Sequence, residues 1–153
     1  MTCDMARMPM RDTAPELALR ASLARLGLHS PERDVAGLPG RPDLILREDR
    51  VAIFAHGCFW HHHAGCRHAR LPNTTYPWKQ KFLCTRARDR ATRDALVASG
   101  WRVLWVWECA LTGGDALSSN TLDATVKAFL EDRIAFREVS GGGVGPDTAA
   151  DAA

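Results

Sequence analysis

Asp43-Leu44-Ile45-Leu46, the polar link Arg47-Glu48-Asp49-Arg50, and Val51-Ala52-Ile53-Phe54-Ala55 follow one another without interruption. Two short apolar runs rich in strand formers, separated by a charged link, predict a β-hairpin. Leu38-Pro39-Gly40-Arg41-Pro42 just upstream is a turn by composition, so Asp43 opens the first strand directly after a turn. Further upstream, Thr13-Ala14-Pro15-Glu16 followed by Leu17, Leu19, Leu23 and Leu26 predicts a capped helix ending at Gly27, with Thr13 as N-cap. Proline is tolerated in that first turn because the backbone donors there lack helical partners.

Downstream of the hairpin, His56 to Pro77 shows no apolar period and is dense in His, Cys, Gly, Pro and Asn. A bound metal would supply the order that a hydrophobic stripe does not. Trp78 to Ser99 predicts a long basic helix with Phe82, Ala91, Ala95, Leu96 and Ala98 on its buried side, ending at Gly100. Trp101-Arg102-Val103-Leu104-Trp105-Val106-Trp107 is a strongly apolar strand whose tryptophans are read as core. A last helix is expected from about Thr121 to Phe136, capped by Ser119 or Asn120. Helix, hairpin, metal-like insert, helix, strand and helix together describe an α/β domain, a small mixed sheet flanked by helices. Residues 1–137 read as one domain and 138–153, with Gly141-Gly142-Gly143 and Pro146, as a disordered tail.

The composition agrees with one globular domain: 153 residues, 46% apolar and 25% charged. No apolar run reaches the length of a membrane span, and Asp4, Arg7 and Arg11 interrupt any signal-peptide core, so the expectation is a cytoplasmic protein. Five cysteines, at 3, 58, 66, 84 and 109, suit a reduced compartment with metal ligation better than a disulfide framework; Cys3 and Cys84 receive no role. The net charge of +2 conceals an asymmetry: Arg67 to Arg93 holds eight Lys/Arg against the single acid Asp89, and the remainder is net acidic. Such a patch fits a polyanionic partner or a solvated basic helix face.

Three groups of residues could carry chemistry. Cys58, His63, Cys66 and the distant Cys109 form a Cys3His set that suits one structural zinc ion with no open position for substrate. His62 or His68 could replace His63, and buried unligated cysteines beside an exposed histidine run are the bland alternative. Phe59 and Trp60, large aromatics in a loop, either cap the core or stand ready to enter a base stack. Asp43, at a strand edge, is either a turn residue or a carboxylate for Mg²⁺ in phosphodiester chemistry.

Gly40-Arg41-Pro42-Asp43, Phe54-Ala55-His56-Gly57-Cys58-Phe59-Trp60-His61, Gly100-Trp101-Arg102-Val103 and Val106-Trp107-Glu108-Cys109 occur in this order, with Asp12-Thr13 and Glu16 upstream. From Arg11 to Leu111 the chain resembles the very-short-patch repair (Vsr) DNA mismatch endonucleases. The resemblance implies a restriction-endonuclease-like core, with Asp43 at the family's metal-binding aspartate and Phe54-Ala55-His56 replacing the acid-x-Lys pair of many relatives of that core. It implies Mg²⁺, two ions, bound by Asp43, the main-chain carbonyl of Ala55 and DNA phosphate, with histidines assisting. Three positions depart from the family pattern. Ala55 stands where threonine is best known, His63-Ala64-Gly65-Cys66 is one residue longer, and Thr85 stands where asparagine is frequent.

By that resemblance, the expected activity is hydrolysis of one phosphodiester 5′ of the mispaired thymine in a T·G mismatch left by deamination of 5-methylcytosine. His61 would be the general base. His56 would position the scissile phosphate or a metal-bound water, and Glu16, equally a capping-box residue, would orient His61 or a water. Phe59, Trp60 and Trp78 match aromatics that the family inserts beside the mismatch, while Lys79, Lys81, Arg86, Arg88 and Arg90 would attract phosphates. Double-stranded DNA is the partner, a cytosine-5 methyltransferase and downstream repair proteins are functional companions, and a monomer associated with the bacterial nucleoid is expected. Two other readings stand beside this one: a sequence- or modification-specific defence nuclease of the same fold, and a zinc-stabilised DNA-binding module with weak catalysis.

Overall fold

A computed structural model describes residues 12–33 and 35–142. The elements run α1 (Ala14–Arg25), β1 (Glu32–Arg33), β2 (Leu44–Leu46), β3 (Val51–His56), a 3₁₀ turn at Arg67–Ala69, α2 (Trp78–Ala98), β4 (Arg102–Trp107), α3 (Glu108–Leu111), α4 (Ser119–Asp132) and β5 (Phe136–Val139). The strands form one sheet in the order β1-β2-β3-β4-β5; β1, β2 and β3 pair antiparallel, whereas β4 runs parallel to β3 and β5 parallel to β4. This is the expected mixed α/β sheet with helices on both faces. No described helix is long and apolar enough to cross a membrane.

The two central strands are covered on both faces and therefore read as nearly continuous apolar runs. Strand alternation divides them between two cores. Leu44, Leu46, Val51, Ile53, Leu104 and Val106 face Leu19 and Leu23 of α1 and Val126 and Phe129 of α4. Ile45, Ala52, Phe54, Val103, Trp105 and Trp107 occupy the opposite face with Leu96 of α2 and Trp101. The three tryptophans of the 101–107 stretch are buried, as expected of core. His56 shares the parity of Ala52 and Phe54, so its side chain emerges on the α2 face.

Three expectations are corrected. The inner face of α2 is Phe82, Thr85 and Leu96, while Ala91, Ala95 and Ala98 are exposed. The apolar residues of this helix do not share one face, and its packing stripe runs through polar positions. The last helix is capped by Ser118, whose hydroxyl accepts from Thr121 N, and it stops at Asp132 because Arg133 adopts a left-handed conformation at φ 57°. Phe136 belongs instead to β5, pairing with Val103 and setting its ring edge-on against Trp105 at 4.9 Å. The boundary expected at 137 thus falls inside a strand, and residues 138–142 belong to the folded body. The tail expected beyond them, from 143, and Cys3 lie outside the described residues.

Candidate active site and metal centre

Both candidate sites lie beyond the carboxyl ends of β3 and β4, where open α/β sheets commonly bind ligands. Parallel register sets His56 beside Trp107. Cys58 follows β3 by two residues and Cys109 follows β4 by two, so the register delivers both cysteines to one place. Cys58, His63, Cys66 and Cys109 are all buried, with donor atoms within 4.8 Å of one another. His63 Nδ1 lies 3.6 Å from both Cys58 Sγ and Cys109 Sγ. A tetrahedral ion with Zn–S of about 2.3 Å and Zn–N of about 2.0–2.1 Å requires sulfur–nitrogen edges of about 3.6 Å, so this set fits such an ion.

The histidine that joins the three cysteines is His63. His68 pairs with Asp115 at 3.2 Å, and His62 lies flat on Phe82 with ring centroids 5.0 Å apart. His63 is held from its far side: Nε2 lies 3.1 Å from Ser140 Oγ, and its ring stacks on Trp107 at 4.1 Å. The Gly141 N–H donates to Cys109 Sγ at 3.3 Å. A Cβ at Gly141 would sit 2.2 Å from the Cys109 carbonyl oxygen, so only glycine allows this approach. The Cys58 thiol, hydrogen-bonded to Cys109, pulls the Cys109 thiol down to about 4, with His63 and the Gly141 N–H adding to it; Cys58 is pushed up in turn. These contacts favour the thiolate at Cys109, the form in which cysteine binds metal.

A tight turn from Gly57 to His63, closed by backbone bonds from His61 N to Gly57 O and His63 N to Cys58 O, sends three consecutive histidines in three directions. His61 reaches α2, where its Nδ1 lies 2.7 Å from Asp89 Oδ2. His61 also stacks beside His56, ring centroids 4.1 Å apart. His56 is 4% exposed and packed among Phe54, Trp105 and Trp107. Burial, reinforced by His61 and His63, holds its imidazole well below the ordinary histidine range, so it is neutral at pH 7. Sequence reasoning gave Asp89 no chemical role. Its signal was that it is the single acid among eight bases.

Asp43 sits just before β2 and accepts a 2.8 Å hydrogen bond from the N–H of Ala55, the residue preceding His56. In a strand a residue's N–H and C=O point toward the same neighbour, so the Ala55 carbonyl faces the Asp43 side as well. A carboxylate beside a main-chain carbonyl is a hard-oxygen pair suited to Mg²⁺. Glu16, buried on α1, accepts from Arg33 at 3.3 Å, and its backbone N–H donates to Thr13 Oγ1 in the cap. The carboxylate that pairs with His61 in this structure is that of Asp89.

The aromatic candidates form one cluster. Phe59 meets Trp60, Trp78 and Phe82 edge-on at 5.1–5.2 Å, and Tyr76 joins Trp78 at 4.6 Å with Lys81 over its ring. Phe59 is half-buried, whereas Trp60 is 53% exposed. Capping of the core and exposure are thus divided between neighbouring residues. Lys79 and Arg88 are exposed on α2, and Lys81 is half-buried. Arg86 and Arg90 flank Asp89 and line, with His61 to His63, Trp105, Trp107 and Glu138, a hollow beside the His61–Asp89 pair.

The family model for the DNA mismatch endonuclease Vsr matches residues 2–67. The DNA mismatch endonuclease Vsr of Escherichia coli (strain K12) is 42% identical over 128 residues, covering 83% of this chain and 81% of that protein. The chain belongs to the Vsr family. The Type II nicking enzyme V.XorIIP of Xanthomonas oryzae pv. oryzae is 40% identical over 78% of this chain and 89% of its own length. The Type II nicking enzyme V.NmeAIP of Neisseria meningitidis is 32% identical over 70% and 76%. Within the Vsr match fall Asp43, Ala55, His56, His61 and three of the four metal-centre residues; Asp89 and Cys109 lie beyond residue 67.

Proposed function

We propose that this Vsr-family chain is a DNA endonuclease that nicks one strand 5′ of the mispaired thymine in T·G mismatches. The observation that carries this reading is the convergence at one strand end of an Asp43–Ala55 oxygen pair with the His56–His61–Asp89 cluster. Its mixed sheet, with Asp43 opening the hairpin, is in keeping with a restriction-endonuclease-like core.

His61, fixed by Asp89 at Nδ1, presents its other nitrogen as the base that takes a proton from water. The water oxygen then bonds to phosphorus as the bond to the leaving oxygen breaks. Asp43 and the Ala55 carbonyl would hold Mg²⁺, and the alanine side chain does not impair a main-chain donor. When bound, Mg²⁺, in two ions, supplies stabilisation of the negative charge that develops on the attacking and leaving oxygens. Neutral His56 contributes a hydrogen bond to the scissile phosphate. Trp60, with Phe59 and Trp78 behind it, enters the stack beside the mismatch, and Lys79, Lys81, Arg86, Arg88 and Arg90 attract the backbone. The Cys58–His63–Cys66–Cys109 set holds one zinc ion that fixes the loop carrying His61.

A single asymmetric mismatch is served by a monomer, and the T·G lesion makes a cytosine-5 methyltransferase the functional companion, with repair proteins acting after the nick. The experiment is strand-specific nicking of a labelled duplex with one T·G mismatch in varied flanking sequence, with Mg²⁺, against the fully paired duplex and an EDTA control. Metal-dependent cleavage beside the mismatched thymine alone is expected. Cleavage of both duplexes would replace the repair reading with a defence nuclease, and binding without cleavage would leave a DNA-binding module.

A further inference from the structure

We propose that His56, His61 and Asp89 form a second metal site, selective for a divalent transition ion such as zinc or cobalt, whose occupation turns off the endonuclease. It is distinct from the Cys3His set and from the oxygen pair of Asp43 and Ala55. Each of the three side chains offers one donor atom, and these atoms lie within 4.8 Å of one another. Two imidazoles and one carboxylate are a donor set that borderline-soft divalent ions take and Mg²⁺ does not favour.

A further observation points to a ligand here. His56 is 4% exposed, yet its Nε2 has no hydrogen-bond partner among the described residues. Buried ring nitrogens are ordinarily satisfied, and an ion is one way to satisfy this one. His61 Nδ1 and Asp89 Oδ2, 2.7 Å apart, are hydrogen-bonded to each other, so an ion would take the place of the proton between them and widen the contact. Phe54, Trp105 and Trp107 form an apolar wall around His56, while His61 is only half-buried, leaving a path and open coordination positions for water.

The ion displaces the proton held between His61 and Asp89 and takes both atoms of that contact. His61 then loses the partner that aims it. The inhibitory consequence rests on His61 being the base; metal uptake does not.

The test uses the full chain with its Cys3His set loaded with zinc. Dialysis against micromolar ZnCl₂ is expected to raise the metal content from one to two ions per chain. CoCl₂ added to the zinc-loaded protein is expected to give a visible d–d band without thiolate charge-transfer absorption. His61→Gln and His56→Gln, checked for folding by thermal melting, are expected to hold one ion, whereas His68→Gln retains two. A content that stays at one, a second ion that both His56→Gln and His61→Gln still bind, or cobalt absorption of thiolate type would each overturn the site. On the mismatched duplex, nicking at constant Mg²⁺ is expected to fall at least tenfold as the second ion binds and to recover with a weak chelator. Undiminished nicking with two ions bound would overturn the inhibition alone, and absence of nicking under all conditions would fall on the endonuclease reading and leave the uptake result standing.

Discussion

Trp107 lies flat on His63, with ring centroids 4.1 Å apart and planes 3° from parallel, and stands 5.1 Å from His56. One side chain at the end of β4 therefore touches both a member of the candidate Cys3His metal centre and a member of the His56–His61–Asp89 cluster. Its indole N–H donates to Glu138 Oε1 at 3.1 Å, tying both to β5. Trp107→Phe is expected to keep the stack and lose the hydrogen bond, at about 1 kcal/mol. Trp107→Ala is expected to cost about 3–5 kcal/mol and to lower zinc retention as well. Thermal melts with metal analysis check this; full zinc retention in Trp107→Ala would show that the stack does not support the metal centre.

Cys109→Ala removes the one ligand of the Cys3His set that comes from outside the 58–66 loop. It is expected to release zinc and to loosen the junction of β4 with the segment after β5, because Gly141 N also donates to this sulfur. Chelation of the wild-type protein should reproduce the loss of stability. Unchanged zinc content in the purified variant would remove Cys109 from the site.

Much of this arrangement was legible because its signals are local. The hairpin, α2 and β4 announce themselves through apolar runs and terminators, and the Cys–His spacing marks the set that the fold gathers into a candidate metal centre. β5 was not legible: Phe136-Arg137-Glu138-Val139 is four residues long, mostly half-buried, and exists through parallel pairing with β4. The inner face of α2 was misread for a related reason, since Thr85 packs inward and Asp89 turns toward His61 while alanines point to solvent. Asp89 finds its partner 28 residues away in sequence, a relationship that no spacing rule reveals.

Asp89→Asn tests that relationship. Asparagine preserves size and can still hydrogen-bond His61, but it no longer requires a proton on Nδ1, so the base is no longer held in one tautomer. Nicking of the T·G duplex is expected to fall about 10²–10⁴-fold, the range general-base catalysis supplies, with DNA affinity nearly unchanged. Glu16→Gln, which disturbs a pair with Arg33 instead, is expected to cost less. A larger loss in Glu16→Gln than in Asp89→Asn would return the orienting role to Glu16.

Asp43→Asn addresses the oxygen pair. The Ala55 N–H can still donate to the amide oxygen, so the fold should hold, while the negative charge that attracts Mg²⁺ is gone. Nicking is expected to vanish with mismatch binding retained. A variant that cuts at the normal rate would show that Asp43 is not the metal ligand.

The loop that delivers Asp43 is itself held by a close approach. Gly40 has φ of +72°, and a Cβ there would meet Thr92 Cγ2 of α2 at 2.2 Å. Threonine is branched at Cβ and cannot swing aside as a long side chain would. Gly40→Ala is therefore expected to destabilise the protein by about 2 kcal/mol through strain and overpacking, and to weaken nicking by moving the turn that carries Asp43. Adding Thr92→Ala should restore nicking more fully than stability, since it removes the collision but not the backbone strain. The comparison is made at saturating and limiting Mg²⁺: a displaced Asp43 raises the Mg²⁺ concentration needed for half-maximal nicking. If Gly40→Ala lowers stability alone and leaves that requirement unchanged, the Gly40–Thr92 contact does not position Asp43.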